Sequence, residues 1–152
     1  MFNKRLQEIA ENQLLEATIE EIQKALDNER ITSKELVLMY FQRISRYDQE
    51  GVKLNSFLEI NPDALYLAEA LDTERKQKGK RSPLHGIPIL LKDNIDTYDR
   101  LHTSAGSCAL EHHVAEKDSF VAKQLRQAGA IILGKANMTE WANFMTEGMP
   151  NG

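Results

Sequence analysis

The sequence predicts an α/β fold, with a charged helical layer over residues 1–80 and the first strands of an incomplete α/β sheet over residues 81–152. Three observations carry this reading. Apolar residues in the first half recur at helical spacing behind two capping signals. In the second half they gather into runs of strand length, broken by Gly and Pro. Two of those runs are separated by a connection containing one amphipathic helix, the arrangement of a right-handed parallel crossover. No internal repeat is present, and the 152 residues read as part of a single domain.

The helical layer is legible from its caps. Thr18 and Glu21 have the spacing of a capping box, in which hydroxyl and carboxylate satisfy each other's free backbone donors. Thr32 and Glu35 repeat it. Behind that second cap, Leu36, Val37, Tyr40, Phe41 and Ile44 fall on one helical face. Residues 54–60 (LNSFLEI) alternate apolar and polar and read as a strand. Asn61-Pro62 then reads as a helix start, because proline costs no hydrogen bond in a first turn. That helix carries Ala64, Leu65, Ala68 and Leu71 and ends in the basic run 74–81 (ERKQKGKR), a solvated helix end.

The second half supplies the sheet. Residues 87–91 (IPILL) form an apolar run of strand length between Gly86 and the polar Lys92-Asp93-Asn94. Asp118 is placed to cap a helix over 119–128 with Val121, Leu125 and Ala128 on one face. Gly129 stands at the left-handed position beyond it. Residues 130–133 read as a second strand, and a last short helix begins near Thr139 and carries Trp141 and Phe144.

Composition excludes several function classes. Acidic residues number 23 and basic residues 19, a net charge of −4, so no basic surface points to nucleic acid. No run approaches the roughly 18 apolar residues of a membrane span, and the charged N-terminus lacks the apolar stretch of a secretory signal. One cysteine, Cys108, cannot form an internal disulfide. A cytoplasmic, reducing location is the expectation.

The chemistry-bearing candidates are few. Residues 129–135 (GAIILGK) match the spacing of a phosphate-binding loop, yet their β-branched interior suits a strand. Ala136 stands where a magnesium-binding hydroxyl belongs, and nucleotide binding is set aside. His85, His102, His112 and His113 lack partners at zinc-ligand spacing and read as surface or loop residues. Cys108 reads as a small buried core residue rather than a nucleophile. Lys92 ends an apolar strand, where ligand sites of open parallel sheets gather. On spacing alone it reads more simply as a lysine whose stem lies on the core while its ammonium reaches water.

Three blocks in order, 85–95 (HGIPILLKDNI), 103–107 (TSAGS) and 129–142 (GAIILGKANMTEWA), resemble the amidase signature family. The likeness extends back through 60–64 (INPDA) and 31–37 (ITSKELV), and the run at 141–144 (WANF) is most similar to the peptide-amidase branch. The resemblance implies a mixed α/β/α sheet, cleavage of C–N amide bonds in small or peptide amides, and no metal or cofactor. It implies a Ser–cis-Ser–Lys relay in which Lys92 is the base. A serine is a weak nucleophile without such a partner, and the oxyanion needs preorganised donors. Both relay serines belong to a Gly/Ser-rich stretch expected after Ala142, and Ser104 and Ser107 lie in the wrong block to replace them. The expectation is therefore an N-terminal portion that carries the lysine and is inactive alone. The alternative is a non-catalytic product or interaction module that associates through its unfinished sheet.

Overall fold

The computed structural model describes residues 3–143. In chain order their main elements are α1 (Lys4–Asn12), α2 (Ile19–Asp27), α3 (Ser33–Arg43), β1 (Phe57–Ile60), α4 (Ala64–Lys78), β2 (Pro88–Lys92), α5 (Phe120–Gln127) and β3 (Ile131–Ala136). Both capping boxes form. The Thr18 hydroxyl accepts from the Glu21 N–H at 3.2 Å while the Glu21 carboxylate accepts from the Thr18 N–H at 2.8 Å, and Thr32 and Glu35 exchange the same pair at 3.0 Å. A second anchor reaches α3 from α4. The Asp72 carboxylate accepts from the Ser33 and Lys34 amides at 2.7 and 3.0 Å, placing negative charge at the helix N-terminus.

The sheet has the order β1–β3–β2, with β3 antiparallel to β1 and parallel to β2. Helices cover both faces. On one, Val37 of α3 and Ala64, Ala68 and Leu71 of α4 pack with Ile131 and Leu133. On the other, Ala122 of α5 and Leu101 pack with Leu91 and Ile132. The expected α/β/α architecture is thus present, with the crossover between β2 and β3 carrying α5 as the run spacing predicts. Burial on both faces explains why β3 reads as an unbroken apolar run.

β3 contains a bulge that decides which side chains face which way. Ile89 and Leu91 lie two residues apart on β2, whereas their partners Ile132 and Lys135 lie three apart on β3. The extra residue reverses the alternation. It moves Lys135 onto the face of Leu91 and Ile132 instead of that of Ile131. Gly134 sits where β1 approaches most closely, since a Cβ there would lie 2.2 Å from the Glu59 carbonyl oxygen.

The turn into β1 is held by one carboxylate. Asp48, 4% exposed, lies in the last part of a π-helical turn (Ile44–Gln49) and accepts from the Ser56 amide at 2.6 Å, the Phe57 amide at 3.2 Å, Gln49 Nε2 at 2.8 Å and the Ser56 hydroxyl.

Several local expectations are corrected. The strand read over 54–60 is confined to Phe57–Ile60. The helix expected at Asn61 begins at Ala64 with Asp63 at its N-cap; Asn61 instead shapes the preceding turn, its Oδ1 accepting from the Asp63 N–H at 2.9 Å. Ser119, not Asp118, caps α5, because Asp118 is engaged by the Tyr98 amide and the Arg126 guanidinium. Val121 is half exposed and Ala122 takes the buried position. His85 is fully buried, its Nε2 2.9 Å from the Leu71 carbonyl oxygen and its Nδ1 facing the Arg81 amide. Cys108 is exposed, in a short 3-10 turn. The last helix is a 3-10 segment (Glu140–Asn143) broken by Trp141 and Ala142, both at positive φ, and Phe144 lies outside the described residues.

Burial pushes the Asp48 carboxyl up, and the hydrogen bonds from Ser56, Phe57 and Gln49 outweigh it, leaving the group below the ordinary carboxylate range. A carboxyl depressed on folding contributes stability above its unfolded pKa of about 3.9, and that contribution is lost as pH falls through the folded value. Asp48→Asn is therefore expected to lower the urea midpoint at pH 7. Its difference from the parent should shrink as pH falls below about 4. A difference that stays constant from pH 7 to 3 contradicts the clamp.

Candidate functional site

The carboxyl ends of β2 and β3 lie side by side, with Lys92 opposite Ala136. Lys92 is the last residue of β2 and is exposed. Among the described residues its ammonium meets no hydrogen-bond or ion-pair partner. Its stem therefore ends the strand with the amine exposed to solvent. Directly after it the chain turns, as the Ile95 N–H donates to the Lys92 carbonyl at 3.0 Å and the Asp93 N–H to the Ala136 carbonyl at 3.2 Å.

Asp93 is buried and organises the loop that crosses this strand end. Its carboxylate accepts from the Ser104 N–H at 3.1 Å, the Gly106 N–H at 3.4 Å and the Ser104 hydroxyl, while its carbonyl accepts from the Ala105 N–H at 3.2 Å. Ala105 and Gly106 both adopt positive φ. At Gly106 a Cβ would lie 2.7 Å from the Met138 carbonyl oxygen, so glycine is what the close approach requires. Ser107 donates to the Glu140 carboxylate at 2.6 Å. Ser104 and Ser107 thus spend their hydroxyl protons on carboxylates, and neither contacts Lys92.

Lys135 is the unexpected member. It is fully buried in the central strand, and its ammonium donates to the Ile95 carbonyl at 2.9 Å and the Thr103 hydroxyl at 2.7 Å. Burial pushes its pKa down, against the opposing pull of Asp93, Asp99, Asp96 and Glu59. Residue spacing marks it only through the phosphate-loop match that is set aside, which gives it no role in this site. The one signal is a lysine within an apolar run, and the bulge that turns it inward is not legible there.

A cleft of about 330 Å³ opens beside the loop, lined by Asn94, Asp96, Thr103, Ala105, Leu110 and Trp141. A larger cavity of about 520 Å³ lies elsewhere, between α1 and α2 around Ile9, Leu14 and Ile22. Among the described residues, no three His, Cys, Asp or Glu side chains gather where they would hold a metal ion. No described helix is long and apolar enough to cross a membrane.

This strand end, with its lysine, buried aspartate and serine-bearing loop, belongs to a fold shared with known proteins. Residues 35–150 match the family model described as Amidase, and the chain belongs to that family. It is 48% identical over 139 residues to a probable amidase of Arabidopsis thaliana, covering 90% of this chain and 27% of that protein. Among solved structures it superimposes on the native peptide amidase from Stenotrophomonas maltophilia with a TM-score of 0.83 at 42% identity, covering 87% of this chain and 27% of that one. For an amidase family protein from Bacillus anthracis the TM-score is 0.91 at 41% identity, covering 99% and 30%. The chain spans about a quarter of the length of the curated relatives it matches. The family and fold expected from the three sequence blocks are those found.

The Asp93 clamp generates a prediction. Asp93→Ala leaves two amides and a hydroxyl without their acceptor, at a cost of roughly 2–4 kcal/mol in urea denaturation. Ser104→Ala removes the hydroxyl's bonds to the Asp93 carboxylate and from the Gly106 N–H, keeps both amide contacts to Asp93, and costs about 1 kcal/mol. Equal costs for the two substitutions would show that the carboxylate does not organise the loop.

Proposed function

We propose that these 152 residues are the N-terminal portion of a single-domain amidase in which Lys92 is the general base, with residues 1–80 as its helical layer and 81–152 as the start of its core. The observation that carries this is the position of Lys92. It ends a strand of the family's sheet, exposed and unpaired among the described residues, beside a loop locked in place by Asp93. A base must be reachable by the group that gives up the proton, and Lys135, fully buried and hydrogen-bonded within its own chain, is not.

In the proposed reaction neutral Lys92 takes a proton, through a cis-serine, from a second serine that attacks the amide carbon. The C–N bond breaks as ammonia or an amine leaves, and water hydrolyses the acyl-enzyme. Both serines belong to polypeptide outside this sequence, so the chain alone has no nucleophile. The substrate class is small amides or peptide amides. A solved peptide amidase 43% identical to this chain is described in complex with the competitive inhibitor chymostatin, which supports that size of ligand. A reducing cytoplasm suits a chain whose one cysteine is free.

Replacing the corresponding quarter of the Bacillus anthracis protein with this chain gives a full-length fusion in which the assignment is testable. The isolated chain is expected to release no ammonia from simple amides. In the fusion, Lys92→Ala is expected to lower kcat by roughly 10²–10⁴-fold. Turnover by the isolated chain that disappears in Lys92→Ala would overturn the mechanism.

A second reading, association through the sheet, is favoured by Leu58 and Ile60. They are 49% and 40% exposed on β1, whose outer edge is unpaired among the described residues. Such edges recruit other strands. Sedimentation of the isolated chain is expected to show oligomers that Leu58→Lys disperses, and a monomer at all concentrations contradicts this.

A further inference from the structure

We propose that Lys135 is a positioning residue for amide hydrolysis, fixing the backbone that presents Lys92; this rests on the role given to Lys92 above. The bulge in β3 turns Lys135 away from the face of Ile131 and onto that of Leu91, its partner across the β2–β3 ladder. From there the ammonium reaches both arms of the segment that follows Lys92. It holds the Ile95 carbonyl, three residues beyond Lys92, and the Thr103 hydroxyl, which enters the loop that Asp93 clamps. The neighbouring residue completes the tie, because the Ala136 carbonyl accepts from the Asp93 N–H immediately after Lys92. Lys92 is thereby flanked by a strand on one side and a turn pinned from beneath on the other.

The chemistry of the site favours this over simple core filling. A fully buried ammonium carries a desolvation cost that an apolar side chain of similar volume avoids, and packing alone gives no reason to keep it. Burial disfavours its charged form, and the carboxylates around it pull the other way. Asp93, Asp96 and Asp99 from the β2–α5 connection and Glu59 from β1 provide its negative surroundings, and no second cation hydrogen-bonds with it. Two hydrogen bonds from one fixed amine to the two chain arms define their separation, which apolar contacts leave adjustable. Displacing a catalytic group by about 1 Å costs up to about 10²-fold in rate, so the effect belongs on the chemical step.

The test uses the full-length fusion with four variants, following kcat and KM separately. Lys135→Met and Thr103→Val are expected to lower kcat by about 10- to 100-fold while KM stays within about twofold. Thr103→Ser, which keeps the hydroxyl, is expected to restore the parental kcat. If Lys135→Met fails to fold, the Thr103→Val and Thr103→Ser pair decides alone. Parental kcat in Lys135→Met and Thr103→Val, a loss confined to KM, or a Thr103→Ser variant as impaired as Thr103→Val would overturn the inference. Lys92→Ala in the same fusion separates the two claims. Activity surviving that substitution contradicts the functional reading itself. Activity lost there but intact in the Lys135 and Thr103 variants contradicts the positioning role alone.

Discussion

The carboxyl end of this sheet depends on one constraint, the close approach of β1 to Gly134 in a central strand that has just bulged. The Glu59 carbonyl occupies the space a side chain would need, so β1 can pair only because position 134 has none. The bulge one step earlier reverses the alternation of β3 and puts Lys135 beneath the β2 turn. An unbulged β3 would aim that lysine at the apolar layer of Ile131, Val37 and Ala68, where no acceptor awaits it. Register, charge placement and the course of the loop after Lys92 are therefore parts of a single arrangement.

Local chemistry is legible in the residues, and long-range partners are not. The two capping boxes form because both halves of each lie three residues apart and need nothing else. The β2–α5–β3 crossover follows from run lengths and from the handedness that chirality imposes. Asp118 reads as a cap because it precedes an amphipathic run. Its carboxylate is instead taken by Tyr98 and Arg126, partners 20 and 8 residues away, and Ser119 caps the helix. His85 and Cys108 reverse their expected places for the same reason. A histidine is buried where two backbone groups satisfy its ring, and a cysteine is exposed where a short turn leaves it outside the core.

The site divides in the same way. The position of Lys92 at a strand end is visible in the pattern of GIPILLKDN, and its assignment to a family rests on three ordered blocks. The roles of Asp93, Ser104 and Lys135 depend on a loop that doubles back over the strand end, and no periodicity encodes that path. Lys135 is the clearest case, since the run GAIILGK shows its place beside an apolar strand but not the bulge that buries it. The two lysines show how environment separates like residues. One is exposed and unpaired among the described residues, and the other is buried and hydrogen-bonded to Ile95 and Thr103.

Ser104 and Ser107 donate to the Asp93 and Glu140 carboxylates and fasten the loop's base. The central claim, that this chain supplies the base and other polypeptide the nucleophile, is tested most directly by a fluorophosphonate probe. The probe phosphonylates an activated serine with loss of fluoride, and peptide mapping locates the adduct. Applied to the full-length fusion, the account predicts one modified serine beyond residue 152, labelled more slowly in Lys92→Ala. An adduct on Ser104 or Ser107, or labelling indifferent to Lys92, would contradict it.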